Sequence, residues 1–353
     1  MSKIFNYILP LLLFCIGGYF LFFYHNESPT HPQDTTADTT ADTTAVQYIS
    51  CQGPIFGTYY HIRYRHQDNI DLQPQITAAL QDVDHSLSMF NPKSLLSRIN
   101  SNATDSVDEN FLTIYNCANT IWQTTEHAFD ITVAPLVDLW GFGRQERQDV
   151  SDSDVKKLLP AVGMDKIHLK EHRLTKDNCL TRIDCSAIAK GFGTDKAAQV
   201  LIEHGCTDFI VEIGGEIVTH GKNEHGEPWH IGINTPADDP DNTSNDIQQV
   251  VELKNAALAT SGNYRRFYEI DGKRISHTID PRTGYPAYSD ILSATVIAPT
   301  CMQADAYATA FMVLGSDKAL KICQQDTTIS CLLITAGDTP DKYRVLKSEN
   351  FSK

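Results

Sequence analysis

Hydrophobic and polar positions along the chain fall into three regimes. Phe5 to Tyr24 (FNYILPLLLFCIGGYFLFFY) is apolar and uncharged over about 20 residues, the length that crosses a bilayer core of roughly 30 Å. Asn26 to Ser50 holds almost no large apolar side chain, and DTTA occurs three times between Asp34 and Ala45. A stretch so composed buries no core and reads as a linker, with a coil reach of roughly 25 to 30 Å. From Cys51 onward strand and helix periods mix, and this part folds.

Within it, GTYYHIRYR (Gly57 to Arg65) alternates as a strand does, and Ile76, Leu80, Val83 and Leu87 recur at helical spacing. Phe111, Ile114, Ala118, Ile121 and Trp122 predict a second helix, and Ser151 with Asp154 is placed as a capping box for a short third. LTRIDCS, FIVEIGGEIVTHG, HIGIN and VVELKNAALAT read as strands, and Asp271-Gly272 inside FYEIDGKRIS signals a hairpin. SATVIAP predicts a buried strand leading into a helix over Met302 to Leu314, and the tail adds a helix and two strands, ISCLLIT and KYRVL. Hairpins mixed with isolated helices predict an α+β fold rather than a repeated βαβ unit.

Flanking charge orients the apolar run. Lys3 precedes it and the first charge after it is Glu27, so the amino end stays in the cytoplasm and the rest is exported, in bacteria to the periplasm. The run is too long for a signal peptide and lacks a small-x-small cleavage site; Cys15 follows Phe14, where a lipobox has a small residue. Residues 1–25 are therefore expected to be a transmembrane signal anchor, 26–50 a linker, and 51–350 one large folded domain of mixed sheet and helices.

Composition then removes whole classes of function. With 29 Lys plus Arg against 44 Asp plus Glu, the formal charge is −15 and no basic cluster exists to displace counterions, which argues against a nucleic-acid partner. A phosphate-bearing ligand held through a metal ion stays compatible with that charge. The nine cysteines include no C-x-x-C pair, so a structural zinc site is not expected, and residues such as Cys331 in ISCLLI read as small buried hydrophobes. There is neither a G-x-x-x-x-G-K-[ST] loop nor a G-x-S-x-G elbow.

Five clusters carry candidate chemistry. In AFDITVAPLVDLWGFG (Ala128 to Gly143) an Asp precedes an apolar segment read as an edge strand. IDCSAIAKGFGTDKAA (Ile183 to Ala198) reads as strand end, tight turn and helix start, and Asp184 with Lys190 suits either a capped helix or a nucleotide-binding turn. In IVEIGGEIVTHG, Gly214 and Gly215 interrupt a strand, as a bulge or a close approach to a ligand does. ATSGNYRRFYEIDGKRISHTIDPRTGYP gathers Ser261, Arg265, Arg266, His277, Asp280, Arg282 and Thr283; His277 is placed as a general base with Asp280 as its acidic neighbour. In APTCMQADAYATAFMVLG, Asp305 and Thr309 stand four apart on one helix face, and their oxygens suit a hard cation such as Mg²⁺. Thr309 could equally bond back to the Asp305 carbonyl.

Taken in order, GTYY, SMFNPKSLLSRIN, FDITVAPLVDLWGFG, the Asp184 to Gly191 turn, IGGEI, SHTIDPRTG and ADAYAT resemble the ApbE family of flavin transferases, over about Gly57 to Gly315. The resemblance implies a membrane-attached, Mg²⁺-dependent transferase that cleaves the FAD pyrophosphate and moves FMN onto a Thr or Ser hydroxyl of an acceptor protein of a respiratory or electron-transfer complex. It implies flavin contacts at Phe56, Phe90, Ala128, Phe129, Asp130, Asp184, Lys190, His277 and Thr278, and a metal held by the Ala187 carbonyl, Asp305 and Thr309. Phe90 stands where the family often has Tyr, and DCSAIAKG where DLGGIAKG is common. The acceptor hydroxyl needs a base, for which His277 comes first and Asp280 second. An FAD pyrophosphatase and a non-catalytic flavin-binding module are the rival readings.

Overall fold

The computed structural model describes residues 47–143, 149–235, 247–263, 267–270, 273–337 and 343–351. The expected anchor, most of the expected linker, Arg265, Arg266 and the Asp271-Gly272 turn lie outside the described residues. No helix among the described residues is long and apolar enough to cross a membrane.

Fourteen strands and eight α-helices run in the order β1 (Tyr48–Ile55), β2 (Thr58–Arg65), α1 (Gln73–Leu87), α2 (Leu95–Asn100), α3 (Glu109–Thr124), α4 (Ala134–Leu139), α5 (Asp152–Leu158), β3 (Ile167–Lys170), β4 (Arg173–Lys176), α6 (Ala189–Glu203), β5 (Asp208–Ile213), β6 (Glu216–His220), β7 (Trp229–Asn234), β8 (Ile247–Leu253), β9 (Ala256–Gly262), β10 (Phe267–Ile270), β11 (Lys273–Ser276), β12 (Ile291–Ala298), α7 (Cys301–Leu314), α8 (Ser316–Gln325), β13 (Ser330–Ala336) and β14 (Tyr343–Lys347) among the described residues. Eight strands form one sheet ordered β1-β2-β5-β6-β9-β12-β13-β14, in which every neighbouring pair is antiparallel. Each strand of that sheet lies beside its chain neighbour once the three separate hairpins β3-β4, β7-β8 and β10-β11 are set aside. The α+β expectation is met.

Alternation along the strands divides the interior into layers. Phe209, Val211 and Ile213 of β5 turn toward α1 and α6, whereas Ile210 joins Trp229, Ile231, Val251 and Leu253 under the β7-β8 hairpin. In β13, Cys331 and Leu333 face the helical side while Leu332 and Ile334 face the hairpin. Helices thus cover one face and a hairpin the other, which explains the nearly unbroken burial along β12.

Helix α7 is the centre of the helical layer. Ten of its fourteen residues are buried, so it is a core helix, not an amphipathic one. Thr300 caps it by accepting from Gln303 N–H, and the Asp195 carboxylate of α6 accepts from Cys301 N–H (2.8 Å) and Met302 N–H (2.9 Å). Burial pushes the Asp195 carboxyl up to about 6. This clip fixes the start of α7 against α6.

Four segments depart from their pattern. LTRIDCS forms only a bridge between Arg182 and Val133, because Ile183 exchanges both backbone bonds with the Asn100 side chain (2.7 and 2.8 Å) and Asp184 N–H donates to Ile131 O. The apolar segment after Asp130 is a turn leading into α4, with Pro135 in the first helical turn, and not an edge strand. Gly214 and Gly215, at φ 63° and 104°, make the turn of the β5-β6 hairpin rather than interrupting a strand. VVELKNAALAT splits into β8 and β9 at Asn255, whose φ is 50°, and the two halves enter different sheets. In addition, β1 begins at Tyr48, inside the stretch whose composition reads as linker.

Candidate active site

The second and fifth clusters meet where α6 crosses α7. Gly191 makes the crossing possible: a Cβ there would lie 2.3 Å from the Cys301 carbonyl oxygen and 2.9 Å from Asp305 Cβ. Its N–H, in the first turn of α6 and so without an intrahelical acceptor, donates to Asp305 Oδ2 (3.0 Å). Ala187 directly precedes the Ile188 N-cap of α6, so its carbonyl lies outside the helical bonding. Thr309, one turn beyond Asp305, shares a hydrogen bond with Ser261 Oγ at the end of β9 (3.1 Å).

Asp305 is 4% exposed, and burial raises its carboxyl pKa while the Lys190 cation opposes the rise. Lys190 Nζ pairs with Glu216 Oε1. Burial alone favours the neutral amine, but the Glu216 and Asp305 carboxylates outweigh it and raise the Lys190 pKa. Glu216, which the sequence reading did not single out, is thus the partner of Lys190; its linear signal is an acid placed directly after a paired-glycine turn.

The predicted flavin residues are placed in different surroundings. Asp184 is buried, accepts from Ser186 N–H (2.7 Å), and lines a cavity of about 220 Å³ with Met89, Asn100, Asp138 and Arg182. Asp138 and Arg182 form an ion pair at 2.7 Å on that wall. Phe90, beside Met89, is 73% exposed, an apolar ring left open to a planar ligand. Phe56 sits at φ 51° in the β1-β2 turn with its ring against α6, where a Cβ at Gly193 would lie 2.3 Å from it.

Ala128 and Phe129, by contrast, are buried, and both Asp130 oxygens are engaged, Oδ1 by Thr132 and Oδ2 by Met164 N–H. Any ligand contact at 128–130 therefore falls to the main chain.

The first and fourth clusters also come together. Trp140 Nε1 donates to Gly284 O (2.9 Å), and the His277 ring meets Phe142 edge-on at 6.3 Å. Thr278 Oγ1 donates to Asn263 Oδ1 (3.0 Å) and its N–H to Ser276 Oγ (3.0 Å). The Asp280 carboxylate instead holds Arg282, receiving its N–H, Nε and Nη2 at 2.8 to 2.9 Å.

The Gly191 contact yields a direct prediction. Because the obstructing atom is a backbone carbonyl, Gly191→Ala forces α6 and α7 apart and is expected to destabilise the fold by about 1–3 kcal/mol. Thermal unfolding checks the loss; an unchanged Tm would show that the crossing has slack.

Among the described residues no three His, Cys, Asp or Glu side chains gather as metal ligands. The α6-α7 crossing offers instead the Asp305 carboxylate and the Thr309 hydroxyl, and the Ala187 carbonyl just ahead of α6 would be a third oxygen; the chemistry of that donor set suits a hard cation such as Mg²⁺. Fold and site together define a one-domain α+β protein with a buried carboxylate and a hydroxyl one turn apart on its central helix, a polar cavity and an exposed aromatic ring.

The sequence pattern that defines the ApbE family matches residues 56–333. An FAD:protein FMN transferase of Vibrio cholerae is 36% identical over 86% of this chain and 92% of its own length, and one of Haemophilus influenzae is 37% identical over 81% and 86%. The solved flavin transferase ApbE from Vibrio cholerae superposes with a TM-score of 0.78 at 35% identity, covering 87% of this chain and 98% of that one. The chain belongs to the ApbE family.

Proposed function

We propose that this protein transfers FMN from FAD to a Thr or Ser hydroxyl of an acceptor protein, forming a phosphoester and releasing AMP. The observation that carries the reading is the pair Asp305 and Thr309, one turn apart on α7 where α6 crosses it, in a chain whose relatives are FAD:protein FMN transferases.

Asp305, Thr309 and the Ala187 carbonyl would hold Mg²⁺, which when bound neutralises pyrophosphate charge as a Lewis acid. Lys190, kept protonated by its carboxylate neighbours, adds a fixed positive charge on the same side. Asp184 and Arg182 offer hydrogen bonds from the cavity wall, and Phe90 offers a stacking surface. The acceptor hydroxyl oxygen attacks the FMN-side phosphorus in line, the P–O bond to AMP breaks, and the hydroxyl proton passes to a base. His277 fills that role in our reading, because both Asp280 oxygens are committed to Arg282.

The apolar run at Phe5 to Tyr24 and the acidic linker support attachment to a bacterial inner membrane with the catalytic domain in the periplasm, where an exported electron-transfer protein would be the acceptor. Incubation with FAD and Mg²⁺, with and without such an acceptor, tests the reaction. Covalent flavin fluorescence on the acceptor is expected; FMN release at the same rate whether or not acceptor is present would make the protein an FAD pyrophosphatase.

A further inference from the structure

Lys190 stands between two buried carboxylates and is paired with only one of them. Its Nζ contacts Glu216 Oε1, whereas the Asp305 carboxylate accepts from Gly191 N–H. Asp305 is nonetheless close enough for its charge to act on Lys190, and Gly191, the next residue, touches Asp305 directly. The Glu216 side chain is 3% exposed and the Lys190 side chain 33%. Glu216 Oε2 is buried without a hydrogen-bond partner. A half-satisfied carboxylate in a core is destabilising, so its presence at the end of a tight turn calls for a reason beyond packing.

We infer that Glu216 is a positioning residue: it holds the Lys190 ammonium away from Asp305, leaving that carboxylate open to the divalent cation. The competing arrangement, Lys190 on Asp305, would fill the metal position with an internal cation. Glu216 is set for this task by the Gly214-Gly215 turn, which starts β6 opposite the first turn of α6. The inference rests on the metal reading proposed above.

Mn²⁺ is the probe, its binding followed by loss of the free-ion electron paramagnetic resonance signal in the absence of FAD. Glu216→Gln preserves shape and removes the charge, and is expected to weaken Mn²⁺ binding about tenfold or more as Lys190 turns to Asp305. A crystal structure of that variant should place Lys190 Nζ within hydrogen-bond distance of Asp305. Unchanged Mn²⁺ affinity, or an Nζ still resting on the side chain at position 216, overturns the inference.

If Glu216→Gln does not fold, the uncharged pair Lys190→Gln/Glu216→Gln serves instead. With no ammonium left to compete, it should bind Mn²⁺ at least as tightly as the natural chain, and a tenfold loss would contradict the account. Should the natural chain and Asp305→Asn bind Mn²⁺ equally, the metal reading itself fails. A normal response to Asp305→Asn with none to Glu216→Gln removes the positioning role alone.

Discussion

Asp305→Ala is expected to lower FMN transfer roughly a thousandfold, about 4 kcal/mol of transition-state stabilisation, at any Mg²⁺ concentration that supports the natural chain. The loss follows from the donor set. Thr309 and a main-chain carbonyl are neutral, so Asp305 is the one anionic ligand at the α6-α7 crossing in our reading. The fold should survive, because removing a carboxylate that burial already disfavours leaves only Gly191 N–H without its acceptor, a cost of about 1–3 kcal/mol. Asp305→Asn keeps that acceptor and should recover stability without recovering activity. Turnover measured against Mg²⁺, together with Tm, separates the two effects; undiminished transfer by either variant would remove Asp305 from the chemistry.

His277→Ala is expected to reduce transfer by about 10²–10⁴ with little change in the KM for FAD, since a base that takes the acceptor proton contributes to the chemical step and not to flavin binding. His277 directly follows β11 and rests edge-on against Phe142, so its ring is placed by the joining of the WGFG and TIDPRTG loops. Added imidazole should restore part of the lost rate. Full transfer at saturating FAD would assign the proton to another group.

Much of this was legible before any coordinates. The helical period marked α1 and α3, strict alternation marked β2, and the i, i+4 relation of Asp305 and Thr309 placed both oxygens on one face of α7. These are local properties, set by residues close in sequence. The errors arose where a side chain from elsewhere satisfied the backbone. LTRIDCS has a strand's composition, yet Asn100 takes both main-chain groups of Ile183. The glycine pair looked like an interruption because a two-residue turn and a bulge share one composition; only the β5-β6 register tells them apart.

The same limit governs the site. Asp130 is an acidic residue within a motif, but its two oxygens brace Thr132 and Met164, a use that depends on a loop more than thirty positions away. Glu216 gives no sign in the linear sequence of meeting Lys190, because the contact exists only once β6 packs beside α6. Asp280 looked like an orienter for His277 by proximity, and folding gave its carboxylate to Arg282 instead.

The central claim is covalent transfer to a protein, and intact mass spectrometry of an exported electron-transfer protein co-expressed with this chain tests it most directly. The account predicts an acceptor heavier by one FMN less one water, with the addition on a Thr or Ser and lost when Asp305→Ala replaces the natural chain. An acceptor of unchanged mass, with FMN and AMP accumulating free in solution, would contradict it.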